Sequence, residues 1–208
     1  MQTRSSLTNP VVGRRRCLAM LGASALWLSG CSKEAPLNVD GVDVSKANFG
    51  RHFALTDPSG KARTLEEFKG SVVMVFFGFT QCPDICPTAL VRATDIRRLL
   101  GEDGKRLQVI FITLDPERDT PPVLDAYTKA FDPEFLGLYG DLARTKETAD
   151  EFRVFYQKVE TGNSYTLDHT SLSYVYDVDG RLRLLLKHEQ TAQSCAHDIQ
   201  KIIDRKTA

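Results

Sequence analysis

Two cysteines stand four positions apart in "FFGFTQCPDICPT", Phe76 to Thr88, each followed by a proline and both directly after an apolar run. Thiols this close in sequence either cycle between dithiol and disulfide or hold a metal as thiolates. A redox dithiol commonly has two residues between its cysteines, and Cys82 and Cys86 have three. The wider loop accepts an ion between the sulfurs as readily as a bond. Proline lacks an N–H and suits the first turn of a helix, so a helix is expected to start at Cys86 or Pro87, fed by the loop from Cys82 to Ile85. Cys86 is then expected at the positive end of the helix dipole, which favours its thiolate. A purely structural pair in the core is the weaker reading, because such a loop lies at the solvent end of a strand.

A metal needs further ligands, and the chain has four histidines. His52, His188 and His197 are most simply surface or packing residues. His169 lies in "YTLDHTSLSYVYD", after a Gly, Asn and Ser-rich loop and before a strand expected to run antiparallel beside the first long one. It is therefore expected near the end of the sheet that carries the cysteine loop. Two thiolates and an imidazole select copper: thiolates favour Cu(I), and the imidazole adds tolerance for Cu(II). Zinc is the rival, but a structural zinc takes four protein ligands and only three are found, so zinc would need an open position. Asp168 is a candidate to orient His169, as carboxylates do for metal-bound imidazoles, and an exposed loop acid is the alternative. Asp115 and Arg118 are expected in the loop facing the site, although turn and cap chemistry accounts for most of "TLDPERDTP". Cys195 is expected to pack in the C-terminal helix.

These residues need a scaffold. With 208 residues, 42% hydrophobic and 26% charged, the chain reads as one globular domain with an appendage. A hairpin is expected around the turn Asp57 to Gly60, then a helical turn from Leu65 to Phe68. Val72 to Phe77, "VVMVFF", is apolar and β-branched enough to be a central strand covered on both faces. Leu90, Ala93, Ile96 and Leu100 form a helical stripe stopped by Gly101. Leu107 to Leu114 is a second buried strand. A helix begins near Pro121, with Asp119 or Thr120 as N-cap, and another spans Arg144 to Phe155. Strands Ser173 to Val178 and Leu182 to Leu186 join across Asp179-Gly180, and Ile199, Ile202 and Ile203 mark the last helix. This order predicts a thioredoxin-like α/β fold, a central mixed sheet flanked by helices.

The N-terminus is different. Residues 1–30 hold Arg4, Arg14, Arg15 and Arg16, no acid, and the apolar run "CLAMLGASALWL". That run is shorter than the about 17 to 25 residues a spanning helix needs, and the layout is that of a secretory signal. The boundary Leu28-Ser-Gly-Cys31 resembles a lipobox, with Cys31 lipidated as the mature N-terminus. Residues 31–45 are expected to be a polar tether and 46–208 the domain, which would sit in the oxidising cell envelope, lipid-anchored to a membrane and facing the periplasm or another extracytoplasmic side. Without residues 1–30 the net charge is −4, so nothing suggests nucleic acid as a partner.

The segments "FFGFTQCPDICPTAL", "TLDPERDTP" and "LDHTSLSYVYD", in this order and spacing, resemble the Sco/SenC family over about residues 40–204. The resemblance implies a membrane-tethered thioredoxin-like domain whose copper site is the two cysteines of C-P-x-x-C-P and a downstream histidine, here Cys82, Cys86 and His169. It implies copper delivery to the dinuclear copper centre of cytochrome c oxidase, or reduction of that centre's cysteines. The partners would be the copper-bearing subunit of the oxidase and another periplasmic copper carrier. A copper-dependent redox sensor is the third reading. The carrier needs His169; the reductase needs only the dithiol.

Overall fold

A computed structural model describes Gln2 and residues 37–205. Ten strands and four α-helices follow in chain order: β1 (Val42–Asp43), β2 (Ala54–Thr56), β3 (Ala62–Thr64), β4 (Val72–Gly78), α1 (Ile85–Leu99), β5 (Leu107–Thr113), α2 (Pro121–Lys129), β6 (Leu136–Leu138), α3 (Leu142–Glu151), β7 (Tyr156–Thr161), β8 (Ser164–His169), β9 (Ser173–Tyr176), β10 (Leu182–Leu186) and α4 (Ala192–Asp204). Six strands form the main sheet in the order β1-β10-β9-β4-β5-β6. The β4–β5 and β5–β6 pairs are parallel, and β9 runs antiparallel to β4. This mixed sheet flanked by helices is a thioredoxin-like fold.

The apolar run that marked the first long strand is the centre of the molecule. Every residue of β4 is buried, because β5 and β9 pair on its two edges and both its faces are covered. α1 buries Cys86, Ala89, Leu90, Ala93 and Ile96, the expected stripe, and packs against α4. The carboxyl end of β4 thus delivers the chain into the cysteine loop from a fixed direction.

Three expectations change. The domain begins before the expected tether ends: Leu37 is 8% exposed and β1 pairs with β10. This stretch looked like a linker because its polar groups are numerous, but they have partners inside the fold. The buried carboxylate of Asp198 on α4 accepts the amides of Asp40 and Gly41 at 3.0 and 2.8 Å. Second, residues 156–169 form a separate two-stranded sheet, β7–β8, where a loop was expected. Third, β6 was not foreseen, since three residues are too short to show a period. The helix expected over Arg144 to Phe155 is α3, capped by Asp141, whose side chain accepts the amide of Arg144 at 2.7 Å. The expected signal, Cys31 and the first part of the tether lie outside the described residues. Among the described residues no helix is long and apolar enough to cross a membrane.

Candidate metal centre

After Gly78 the chain turns, with the Cys82 amide donating to the Phe79 carbonyl at 3.2 Å, and α1 starts at Ile85. Asp84 is the N-cap residue but its side chain makes no cap hydrogen bond. The Cys86 amide instead donates to Cys82 Sγ at 3.4 Å, so a sulfur satisfies one of the donors that a helix start leaves open. Cys86 is fully buried behind it and Cys82 is half-buried toward solvent. Gly78 makes room for this arrangement: a Cβ there would lie 2.6 Å from Cys86 Sγ and 2.9 Å from the Phe111 ring. That constraint was not seen in the sequence, although "FFGF" at the end of a buried strand carries it.

His169 closes the site from β8. Its Nε2 lies 3.5 Å from Cys86 Sγ, and its Nδ1 lies 3.0 Å from the Thr170 carbonyl oxygen. A carbonyl can only accept, so Nδ1 carries a proton, and Nε2 is the ring nitrogen that faces the sulfurs. The ring stands edge-on to Phe76 and Phe79, at centroid distances of 6.2 and 5.9 Å, which holds its plane. The ligating atoms of Cys82, Cys86 and His169 all lie within 4.8 Å of one another. Two thiolates and an imidazole this close form a soft donor set suited to Cu(I), so the residues fit the ion that their types suggested.

The charge sits on the other sulfur from the one expected. Hydrogen bonding from the Cys86 thiol, helped by the His169 ring and then by the amides of Cys86 and Asp84, outweighs desolvation and lowers Cys82 to about 4. Cys86 is pushed up by its bond to Cys82 and by burial. The helix start does stabilise a thiolate, but the amides point at the loop sulfur that precedes the helix, while Cys86 is inside the first turn and faces the core.

The acidic candidates take different places. Asp168 is exposed and is not the partner of the ring, since alternate residues of a strand face opposite sides and Thr170 takes the Nδ1 proton. Asp115 is buried and accepts from Tyr165 Oη at 2.8 Å and from Arg118 Nε. Arg118 Nη1 donates to the Tyr165 carbonyl at 2.8 Å, with the guanidinium 3.6 Å from the centre of that ring. Asp115 and Arg118 thus grip β8 and do not join the sulfur–imidazole cluster. Asp119, read from the sequence only as a possible N-cap, is a buried brace: it accepts from the Thr80 amide at 3.0 Å and from the Thr80 and Thr113 hydroxyls, each at 2.6 Å. It ties the start of the cysteine loop to the end of β5, while Thr120 is the N-cap of α2. Cys195 is buried on α4, where desolvation pushes it up to about 11, consistent with a packing role. His52 and His197 are exposed, and neither they nor His188 joins the Cys82 cluster.

A thioredoxin-like domain with a dithiol and an imidazole converging at the end of its central strand defines a thiol-based metal-binding protein. The family model described as SCO1/SenC matches residues 42–204, and the chain belongs to that family. It is 40% identical over 173 residues to an SCO2-like protein of Rickettsia felis, covering 81% of this chain and 82% of the relative. The structure of Bradyrhizobium japonicum ScoI with copper bound is similar with a TM-score of 0.68 and 41% identity, over 75% of this chain and 99% of that one. The solution structures of apo Sco1 from Thermus thermophilus give a TM-score of 0.71 and 38% identity, over 81% and 99% of the two chains.

Proposed function

We propose that this domain binds one copper ion through Cys82, Cys86 and His169 and delivers it to the dinuclear copper centre of cytochrome c oxidase during assembly. The observation that carries the reading is the meeting of the three ligand atoms, within 4.8 Å, at a site where Cys82 still reaches solvent. The copper-bound ScoI supports the choice of ion. BsSco, a 24% identical relative described as a member of the Sco family of cytochrome c oxidase assembly proteins, supports the pathway. Loading costs a proton from Cys86, so uptake is coupled to proton release, and a Cys82–Cys86 disulfide must be reduced before copper enters. The donor would be another periplasmic copper carrier and the acceptor the copper-bearing subunit.

A second reading has its own support. A half-buried Cys82 thiolate beside a buried Cys86 thiol is the arrangement of an attacking and a resolving cysteine. In that role a partner disulfide gains two electrons and two protons to become a dithiol, while Cys82 and Cys86 form a disulfide and supply both electrons and the one proton of the Cys86 thiol, the second proton coming from water. His169→Ala separates the two. The carrier predicts poor oxidase assembly at low copper, partly restored by added copper; the reductase predicts near-normal assembly. Full oxidase activity in that strain at low copper ends the carrier reading. A copper-dependent sensor would require neither transfer nor turnover.

For the N-terminal part, residues 1–30 are proposed as a signal and Cys31 as the lipid anchor, which places the domain in the cell envelope on the extracytoplasmic side of a membrane. Cys31→Ala should release the protein from membranes; retention of the mutant at an unchanged processed size overturns the lipobox.

A further inference from the structure

β8 has a second edge, and it opens beside the cysteines. Among the described residues β7 and β8 pair only with each other, through the two-residue turn Gly162-Asn163, with Gly162 at φ 64°. In such a hairpin the residues flanking the turn exchange hydrogen bonds, and the pairs then alternate along the ladder. Thr161 with Ser164, Val159 with Thr166 and Gln157 with Asp168 are thus the bonded pairs. The same alternation continues into the bond from the Thr170 amide to the Phe155 carbonyl, 3.0 Å. Tyr165, Leu167 and His169 therefore turn their backbone groups to the opposite edge. The Tyr165 carbonyl shows this directly, because Arg118 Nη1 occupies it at 2.8 Å.

The next outward residue, Leu167, has no hydrogen-bond partner for its backbone N–H or C=O among the described residues. That edge lines a groove of about 320 Å³ whose other wall is the loop from Cys82 to Ile85. Asp84 and Asp168, one on each wall, are exposed and form no ion pair with described residues. Unpaired strand groups at an edge are a template for another strand, and here Leu167, itself 4% exposed, lines the same groove as Cys82.

We propose that the groove takes an extended, cation-flanked segment of a partner protein as a short antiparallel strand against Leu167, bringing that segment's cysteine to Cys82. Arg118 blocks the Tyr165 end, which leaves Leu167 and His169 outward, each able to exchange both hydrogen bonds with a residue of an antiparallel partner strand, and the proposal places the cysteine opposite Leu167. The two aspartates select lysine or arginine on either side of the cysteine. The inference rests on the proposed role of the site in serving another protein's metal or disulfide centre, and it names how that protein is held.

The test uses the isotope-labelled full chain, reduced and copper-free, titrated with the peptide acetyl-Val-Lys-Ser-Lys-Val-amide, in which the lysines adjoin the centre and so share the face of Asp168, and serine replaces the cysteine so that neither thiol exchange nor metal contributes. Docking shifts the Leu167 and His169 amide resonances and slows exchange of the Leu167 N–H. Methylating the peptide's central nitrogen should weaken binding about tenfold, the loss expected for one backbone hydrogen bond left unmade. Asp168→Lys should weaken the lysine peptide a few-fold and favour its glutamate counterpart. Equal affinity for the methylated peptide, or shifts confined to Cys82 to Ile85, overturns the strand-addition proposal. Copper stoichiometry is measured on the same sample: no docking with copper uptake intact removes this inference alone, while docking without copper uptake removes the metal reading.

Discussion

The two halves of the candidate metal centre are built to different standards of rigidity. The sulfurs belong to the core: β4 is buried along its whole length, Asp119 braces Thr80, and Gly78 leaves Cys86 no room to spare. The imidazole belongs to β7–β8, a hairpin outside the main sheet with a largely exposed first strand, held by the Arg118–Asp115–Tyr165 clamp and by packing of His169 on two phenylalanines. The difference separates two chemistries within one site. The dithiol is set whenever the core is folded, whereas the third ligand depends on a smaller unit that can open at lower cost.

The largest effect expected is loss of copper. Cys82→Ser or Cys86→Ser should abolish tight binding, since a hydroxyl is a poor Cu(I) ligand, and unchanged copper content in both single variants would end the metal assignment. Next comes Gly78→Ala. Its Cβ must displace Cys86 Sγ and Phe111, so the reduced domain should lose about 1–3 kcal/mol in urea unfolding together with copper affinity. A Gly78→Ala domain of unchanged stability that loads copper normally would show that the core half yields more than the packing allows.

His169→Ala should weaken Cu(II) binding strongly and Cu(I) binding less, while the dithiol still exchanges with a small disulfide; equal loss of both activities would erase the contrast between the halves. Arg118→Ala should act in the same direction and more weakly. It frees the Tyr165 carbonyl and removes the stacked guanidinium, so amide exchange should accelerate across β8 while β4 stays protected. Acceleration in β4 as well would mean the hairpin is part of the core unit.

The smallest effect is on pH dependence, and its sign follows from Cys82. Its folded value is depressed from 9.0 to about 4, so its contribution to stability is complete above about 9 and is lost as pH falls through about 4. Cys86 is raised and acts oppositely, lowering stability as pH climbs past 9.0. The reduced, metal-free domain should therefore gain stability between about pH 4 and 9, and Cys82→Ser should flatten that rise. Thiolate ultraviolet absorbance should develop at the low end of the range for one sulfur only. A single transition near 9 for both thiols would contradict the sulfur-capped helix start.

Strong local signals read correctly from residue types alone. β4 and β5 announced themselves because strands covered on both faces are continuous apolar runs, and α1 because its buried residues recur at helical spacing. Cys82, Cys86 and His169 stood out as candidate ligands because few side chains hold soft metals, and the structure brings the three together. The hairpin around His169 was missed, since exposed strands paired only with each other lack an apolar alternation, and the first strand was missed because its polar neighbours find partners on a helix about 158 positions away.

The sequence by itself determined the central strands, the helix behind the cysteines and which side chains are candidate soft-metal ligands, because these depend on side-chain chemistry and on periods of a few residues. Only the tertiary structure decided which sulfur is charged, that Thr170 and not Asp168 orients the imidazole, and that Asp115 and Arg118 serve the hairpin. Each of those outcomes turns on where a backbone donor, a carbonyl or a ring lies in space. Neighbours in sequence point apart along a strand, while Cys86 and His169, 83 positions apart, come within 3.5 Å.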